Sequence, residues 1–159
     1  MDIFALFTTR VIEALRADYP QLDDELLARV VVEPPRDPAH GDLSTNAAMV
    51  VAKPLGKNPR EVASGLVERF KSAPDVTSVD VAGPGFINFR LADSIWHQVL
   101  RAVGAQGENF GRSDLGKSER VNVEFVSANP TGPMHVGHTR GAVFGDALAS
   151  LMALSLIHI

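Results

Sequence analysis

The 159-residue chain contains no cysteine. A disulfide framework, a thiolate metal site and a cysteine nucleophile are therefore excluded. It has no apolar run of membrane-spanning length, and residues 1–16 lack the basic start and small-residue cleavage site of a signal peptide. It also lacks the basic excess of a general nucleic-acid coat, since 15 Lys and Arg face 19 Asp and Glu for a net charge of -4. Internal repeats and low-complexity segments are missing too. What remains is an ordinary globular composition, 45% hydrophobic and 21% charged, long enough for one small domain and part of another. A soluble cytoplasmic protein is the expectation.

The charge is unevenly spread. Between Glu13 and Asp42, eight acidic residues oppose Arg16, Arg29 and Arg36; between Lys53 and Lys71, five basic residues oppose only Glu61 and Glu68. The second stretch is either a solvated helix face or a surface able to meet a polyanion.

Apolar spacing predicts a helix over residues 2–18, with Phe4, Phe7, Val11 and Leu15 on one stripe, stopped at Tyr19-Pro20. Asp23 or Asp24 caps a short helix near Glu25–Arg29, Val30–Val32 reads as a strand, and the proline-rich residues 33–42 as a loop. Ser44 or Thr45 is expected to cap a helix closing before Pro54, and Asn58-Pro59 to open another with Val62, Leu66, Val67 and Phe70 inward. Val76–Val81 and Phe86–Leu91 form a hairpin around Gly83-Pro84-Gly85, with Ile87, Phe89 and Leu91 on one face and Phe86, Asn88 and Arg90 on the other. A last helix, begun at Asp93 or Ser94, directs Ile95, Val99, Leu100 and Val103 inward. Residues 1–103 thus read as an α+β domain of helices and a small antiparallel sheet. Residues 104–119, with four glycines, read as a linker. From 120 to 159 come a strand (Val121–Val126), a turn-rich loop and a helix from His135, the opening half of a nucleotide-binding βαβ unit that the sequence does not complete.

The chemistry concentrates in that loop. His135 and His138 sit three apart across the helix start, where unpaired N–H groups and a partial positive charge favour anions. Imidazoles there can donate hydrogen bonds to phosphate oxygens as charge shifts during attack on an α-phosphate. Gly137 removes a Cβ where a nucleotide would come close. A metal pair and plain structural histidines are the competing readings, the first weakened by the lack of a third ligand nearby.

The run Glu124-Phe125-Val126-Ser127-Ala128-Asn129-Pro130-Thr131-Gly132-Pro133-Met134-His135-Val136-Gly137-His138-Thr139-Arg140-Gly141-Ala142 resembles the class I signature of arginyl-tRNA synthetases. His40-Gly41-Asp42-Leu43-Ser44-Thr45-Asn46-Ala47-Ala48 and Gly83-Pro84-Gly85-Phe86-Ile87-Asn88-Phe89 resemble that family's N-terminal domain. The resemblance implies ATP-dependent activation of arginine and its transfer to tRNA(Arg), with Mg²⁺ accompanying ATP and no protein-held metal. It implies that His135 and His138 are catalytic and, with Gly137, bind ATP. Arginine is then held by Glu124, Ser127, Asn129 and His135, a carboxylate being the natural partner of a guanidinium. For Glu124 an exposed strand residue, and for Asn129 a loop-former, are the alternatives. The N-terminal domain is implied to bind the tRNA elbow, with Phe86 stacking on a base and Asn88 bonding its edge, unless Phe86 packs under a helix. His40 to Asn46 read as architecture, a tight turn at Gly41 and a helix cap.

The family's remaining sheet and anticodon-binding domain do not follow within 159 residues. The expectation is therefore a truncated Rossmann-type catalytic domain, inactive by itself, in an enzyme that is monomeric when complete. The tail Ser155–Ile159 reads as a truncation boundary or a cloning scar. A non-catalytic tRNA-binding module is the alternative function, and a small nucleotidyltransferase a third.

Overall fold

The computed structural model describes residues 2–129 and 131–155. The chain divides into two compact units, residues 1–105 and 106–159. The expected tail at Ser155–Ile159 lies outside the described residues beyond Ser155.

In the first unit, α1 (Ile3–Asp18) begins where Asp2 accepts hydrogen bonds from the Phe4 and Ala5 amides, at 2.9 and 3.1 Å. Its buried stripe is Ile3, Phe7, Val11, Ala14 and Leu15, one step wider than the sequence pattern. α2 (Asp24–Leu27) is capped by Asp23. Next come β1 (Val32–Glu33), a single 3-10 turn at Pro38–His40, β2 (Leu43–Thr45), α3 (Ala47–Ala52) and α4 (Pro59–Phe70). The hairpin of β3 (Val76–Ala82) and β4 (Phe86–Leu91) follows, then α5 (Asp93–Gln106).

The four strands form one antiparallel sheet in the order β1-β2-β4-β3. α1, α3 and α4 pack on one face. Phe89 is the centre of the core, fully buried, with its ring edge-on to Phe7 (5.6 Å) and Phe70 (5.2 Å). In the second hairpin strand Ile87, Phe89 and Leu91 are buried and Phe86 and Arg90 exposed, as expected, but Asn88, on the face with Phe86 and Arg90, is buried as well.

Four expectations are corrected here. The strand expected at Val30–Val32 lies at Val32–Glu33, because pairing with Thr45 and Ser44 fixes its place. Ser44 and Thr45 do not precede a helix as caps; they belong to β2, and α3 starts after Asn46. Thr45 still bridges the two elements, since its buried hydroxyl donates to the Val31 carbonyl (2.7 Å) and accepts from the Ala47 amide (3.3 Å). In α5 only Ile95 is buried, Val99 packs partly on the core, and Leu100 and Val103 are exposed. That helix also runs to Gln106, past the Gly104 at which the sequence suggested a linker.

The second unit has one long helix, α6 (Val136–Leu154). The strand expected at Val121–Val126 is not formed among the described residues: the segment pairs in no sheet, since a strand requires a neighbouring ladder to satisfy its amides. Gly145 is the buried residue of α6, and Val136, Val143, Phe144 and Leu151 are exposed.

Candidate functional sites

Two places gather the residues singled out by sequence, one in each unit. In the first, the sheet's uncovered face carries a cavity of about 560 Å³ lined by Phe86 and Asn88 together with Arg36, His40, Ser44 and Asn46, among others. Strand register explains the arrangement. Glu33 pairs with Ser44, Ser44 with Asn88, and Asn88 with Asp80, so one polar row crosses all four strands on that face. Phe86 lies two residues from Asn88 on the same face and is 39% exposed, so it is not packed beneath a helix. Asn88 lines the cavity though nine-tenths buried, and its side-chain amide makes no hydrogen bond among the described residues.

The segment from Gly41 to Asn46 builds this surface. Gly41 has φ +119°, and a Cβ there would stand 2.5 Å from the Phe89 carbonyl oxygen. The next amide, of Asp42, donates to that same oxygen (2.8 Å), and the Asp42 carboxylate accepts from the Leu91 amide (2.7 Å). Asn46 accepts from the Val31 amide (3.0 Å) and donates to the Arg29 carbonyl (3.2 Å). The motif is thus a set of stitches holding β1, β2 and β4 together. Sequence reasoning missed that Arg36, Ser44 and Asn46 line the cavity, although the alternation of Leu43, Ser44 and Thr45 carried the signal for Ser44.

The basic stretch of residues 53–71 is largely spoken for. Lys57 pairs with Glu61, Lys71 with Glu68 and Arg69 with Asp18; among the described residues Lys53 and Arg60 form no ion pair. An ordinary solvated helix face therefore accounts for most of it.

In the second unit, His135 is the N-cap of α6 and His138 stands in its first turn. The His135 Nδ1 accepts from the Gly137 amide (3.1 Å), and the His138 Nδ1 accepts from the His135 amide (3.3 Å). The rings stack with centroids 3.9 Å apart. A ring nitrogen that accepts carries no proton, so Nδ1 is engaged in both rings and Nε2 is the nitrogen left to donate. Gly137 acquires a second reason for being glycine: a Cβ would press to 2.9 Å of the His135 ring.

Beside this helix start is a cavity of about 250 Å³ lined by Glu124, Phe125, Val126, Ser127, Ala128, Gly137, His138 and Gly141. The Ser127 hydroxyl donates to the Glu124 carboxylate, which fixes that carboxylate's direction. Of the expected site residues, Glu124, Ser127, Gly137 and His138 line one cavity, whereas His135 and Asn129 are not among its lining. Asn129 is exposed, and its carbonyl accepts from the Thr131 amide (2.8 Å). Among the described residues no three His, Asp or Glu side chains converge as a metal site, and no helix is long and apolar enough to cross a membrane.

An α+β domain with a polar row over its open sheet face defines the first unit, and residues 7–91, nearly all of it, match the family described as the arginyl tRNA synthetase N-terminal domain. The chain belongs to that family. It is 56% identical over 160 residues to the arginine–tRNA ligase of Paracoccus denitrificans, covering 98% of this chain and 27% of that protein. It is 58% identical over 158 residues to the ligase of Azorhizobium caulinodans, with the same coverage of 98% and 27%. Among solved structures, the arginyl-tRNA synthetase of Thermus thermophilus superposes with a TM-score of 0.64 at 26% identity, over 99% of this chain and 24% of that one. The Plasmodium falciparum enzyme gives 0.72 at 18% identity, over 98% and 29%, which is a likeness of fold. The chain therefore spans about a quarter of the length of the relatives it matches.

Proposed function

We propose that these residues serve an arginine–tRNA ligase of the class I type, acting in the cytoplasm on ATP, L-arginine and tRNA(Arg). The observation that carries the reading is the mutual capping of His135 and His138 through Nδ1, which leaves Nε2 of both rings available as donors at a helix start beside a carboxylate-bearing cavity. Arginine's carboxylate attacks the α-phosphate of ATP and pyrophosphate departs; the terminal ribose hydroxyl of tRNA then takes the arginyl group from the adenylate, releasing AMP. Such chemistry requires positioning and charge stabilisation and no covalent nucleophile on the protein. His135 and His138 donate to the phosphate oxygens as charge develops. Gly137 keeps the His135 ring folded over the first turn. Glu124, held by Ser127, receives the guanidinium or amino group, and Asn129 takes the other end of the amino acid. Mg²⁺ would accompany ATP as a substrate ion and neutralise charge on its phosphates. Residues 120–159 are the start of the Rossmann-type domain in this reading.

The groove at Phe86 and Asn88 takes a splayed nucleotide of the tRNA elbow, the ring by stacking and the amide by bonding a base edge. Arginine-dependent ATP–pyrophosphate exchange by the full-length gene product, with and without tRNA, tests the catalytic half. His138→Ala should lower it by about 10²–10³-fold, and an unchanged rate defeats the assignment. A second reading, a tRNA-binding module without catalysis, is favoured by the fact that the first unit holds the core and the groove by itself. RNA binding without any exchange activity would select it.

A further inference from the structure

The distance between the two walls of the Glu124 cavity is set by how deeply α6 seats on the segment before it. Gly145 is the buried residue of that helix, and a Cβ built on it would overlap the Cβ and ring of Phe125. Four residues earlier, on the same helix face, a Cβ on Gly141 would only touch the Phe125 carbonyl oxygen, at 3.4 Å. Phe125 lies between Glu124 and Val126, so its seating fixes the carboxylate wall of the cavity, while Gly137, His138 and Gly141 form the wall on α6. Nothing on the catalytic surface itself demands glycine at position 145. The requirement comes from Phe125, which packs on the same face of the helix as Gly141.

We propose that Gly145 is a positioning residue: by letting Phe125 lie against bare helix backbone, it sets the separation of the Glu124–Ser127 pair from His138. This rests on the ligase reading above, for which an ångström of displacement between reacting groups is costly. A methyl group at 145 must lift the helix or turn Phe125 away, and either motion widens the cavity without altering any group that meets substrate. Displacements of that size cost about 10²-fold in rate.

The test uses the full-length gene product and arginine-dependent ATP–pyrophosphate exchange. Gly145→Ala should lower kcat by roughly 10²-fold while KM for ATP moves only a few-fold, and, relative to Phe125→Gly alone, the loss should be at least about tenfold smaller when Gly145→Ala is made in a Phe125→Gly background, which removes the Cβ that the new methyl group meets first. Gly104→Ala is the control, because a Cβ there meets nothing within 4 Å; it should leave exchange unchanged. A Gly145→Ala enzyme within threefold of wild type, or one equally impaired in both backgrounds, overturns the proposal. Should Gly145→Ala be insoluble, the Phe125→Gly/Gly145→Ala double variant carries the test: soluble protein with exchange within threefold of Phe125→Gly alone supports seating, and a double variant that is equally insoluble, or impaired well beyond Phe125→Gly, overturns it. Wild-type protein without exchange defeats the ligase reading instead. The ring resonances of His135 and His138, shifted by Gly145→Ala and unmoved by Gly104→Ala, then decide the positioning claim separately, unshifted rings overturning it.

Discussion

The two units solve the burial problem differently. Among the described residues, every member of the hydrophobic core lies between Ile3 and Ile95, where helices and a sheet cover one another. In residues 106–155, α6 buries a glycine and exposes Val143, Phe144 and Leu151, at 66%, 71% and 63% of their surface. The first unit carries its own reasons to fold, and the second displays an apolar helix face of the kind that marks an interaction surface or an aggregation risk. Matching aromatic truncations break the comparison most directly. Phe89→Ala should cost about 3–5 kcal/mol, enough to unfold a small domain, whereas Phe144→Ala should change stability by less than about 0.5 kcal/mol and raise the soluble fraction of the 159-residue chain. Urea unfolding followed by circular dichroism reads both, and equal effects would dissolve the distinction.

The next largest effect sharpens the role of the Gly41–Asn46 stitches. Gly41→Ala places a Cβ against the Phe89 carbonyl in a backbone conformation that side chains avoid, and should cost roughly 2–3 kcal/mol. Thr45→Val keeps the shape and removes both hydroxyl bonds, leaving the Val31 carbonyl without this donor, for about 1–3 kcal/mol. If either variant melts with wild type, the motif acts in binding and not in architecture. Phe86→Ala reads the opposite way. It should leave the melting curve in place and weaken tRNA binding about tenfold or more, since base stacking on an aromatic ring is worth about 1–3 kcal/mol.

How far these features could be read from sequence follows from the range of the interactions behind them. Asn58-Pro59 announced α4, because an N-cap and an N1 proline act within three residues, and Asn58 does accept from the Arg60 amide (2.9 Å). The hairpin and its two faces were legible for the same reason. Thr45 misled because a hydroxyl bonding the amide two residues on looks like a helix cap, while the bond that decides its strand character reaches back to Val31. Leu100 misled because helical spacing defines a stripe but not whether anything covers it. Val121–Val126 has strand composition without a partner ladder among the described residues, and composition cannot supply one. In the site, the stacking of His135 on His138 follows from N-cap geometry at spacing three, whereas the Phe125–Gly145 approach spans twenty positions of sequence and leaves only an unremarked helical glycine as its trace.

The smallest effect separates that glycine from its neighbours in kind. Gly65 sits inside α4 with a helical backbone, exposed, and a Cβ there would meet nothing within 4 Å. Alanine at this position removes freedom from the unfolded chain and adds no clash, so Gly65→Ala should stabilise the first unit by about 0.5–1 kcal/mol. Gly145→Ala offers the same gain in helix propensity but drives a methyl group into Phe125. Opposite signs for one substitution in two helices, read by thermal unfolding of the full-length gene product, would show that local propensity governs the first site and packing the second. A destabilising Gly65→Ala would mean that its helix face is covered by something outside residues 2–155, and the self-sufficiency assigned to the first unit would have to be given up.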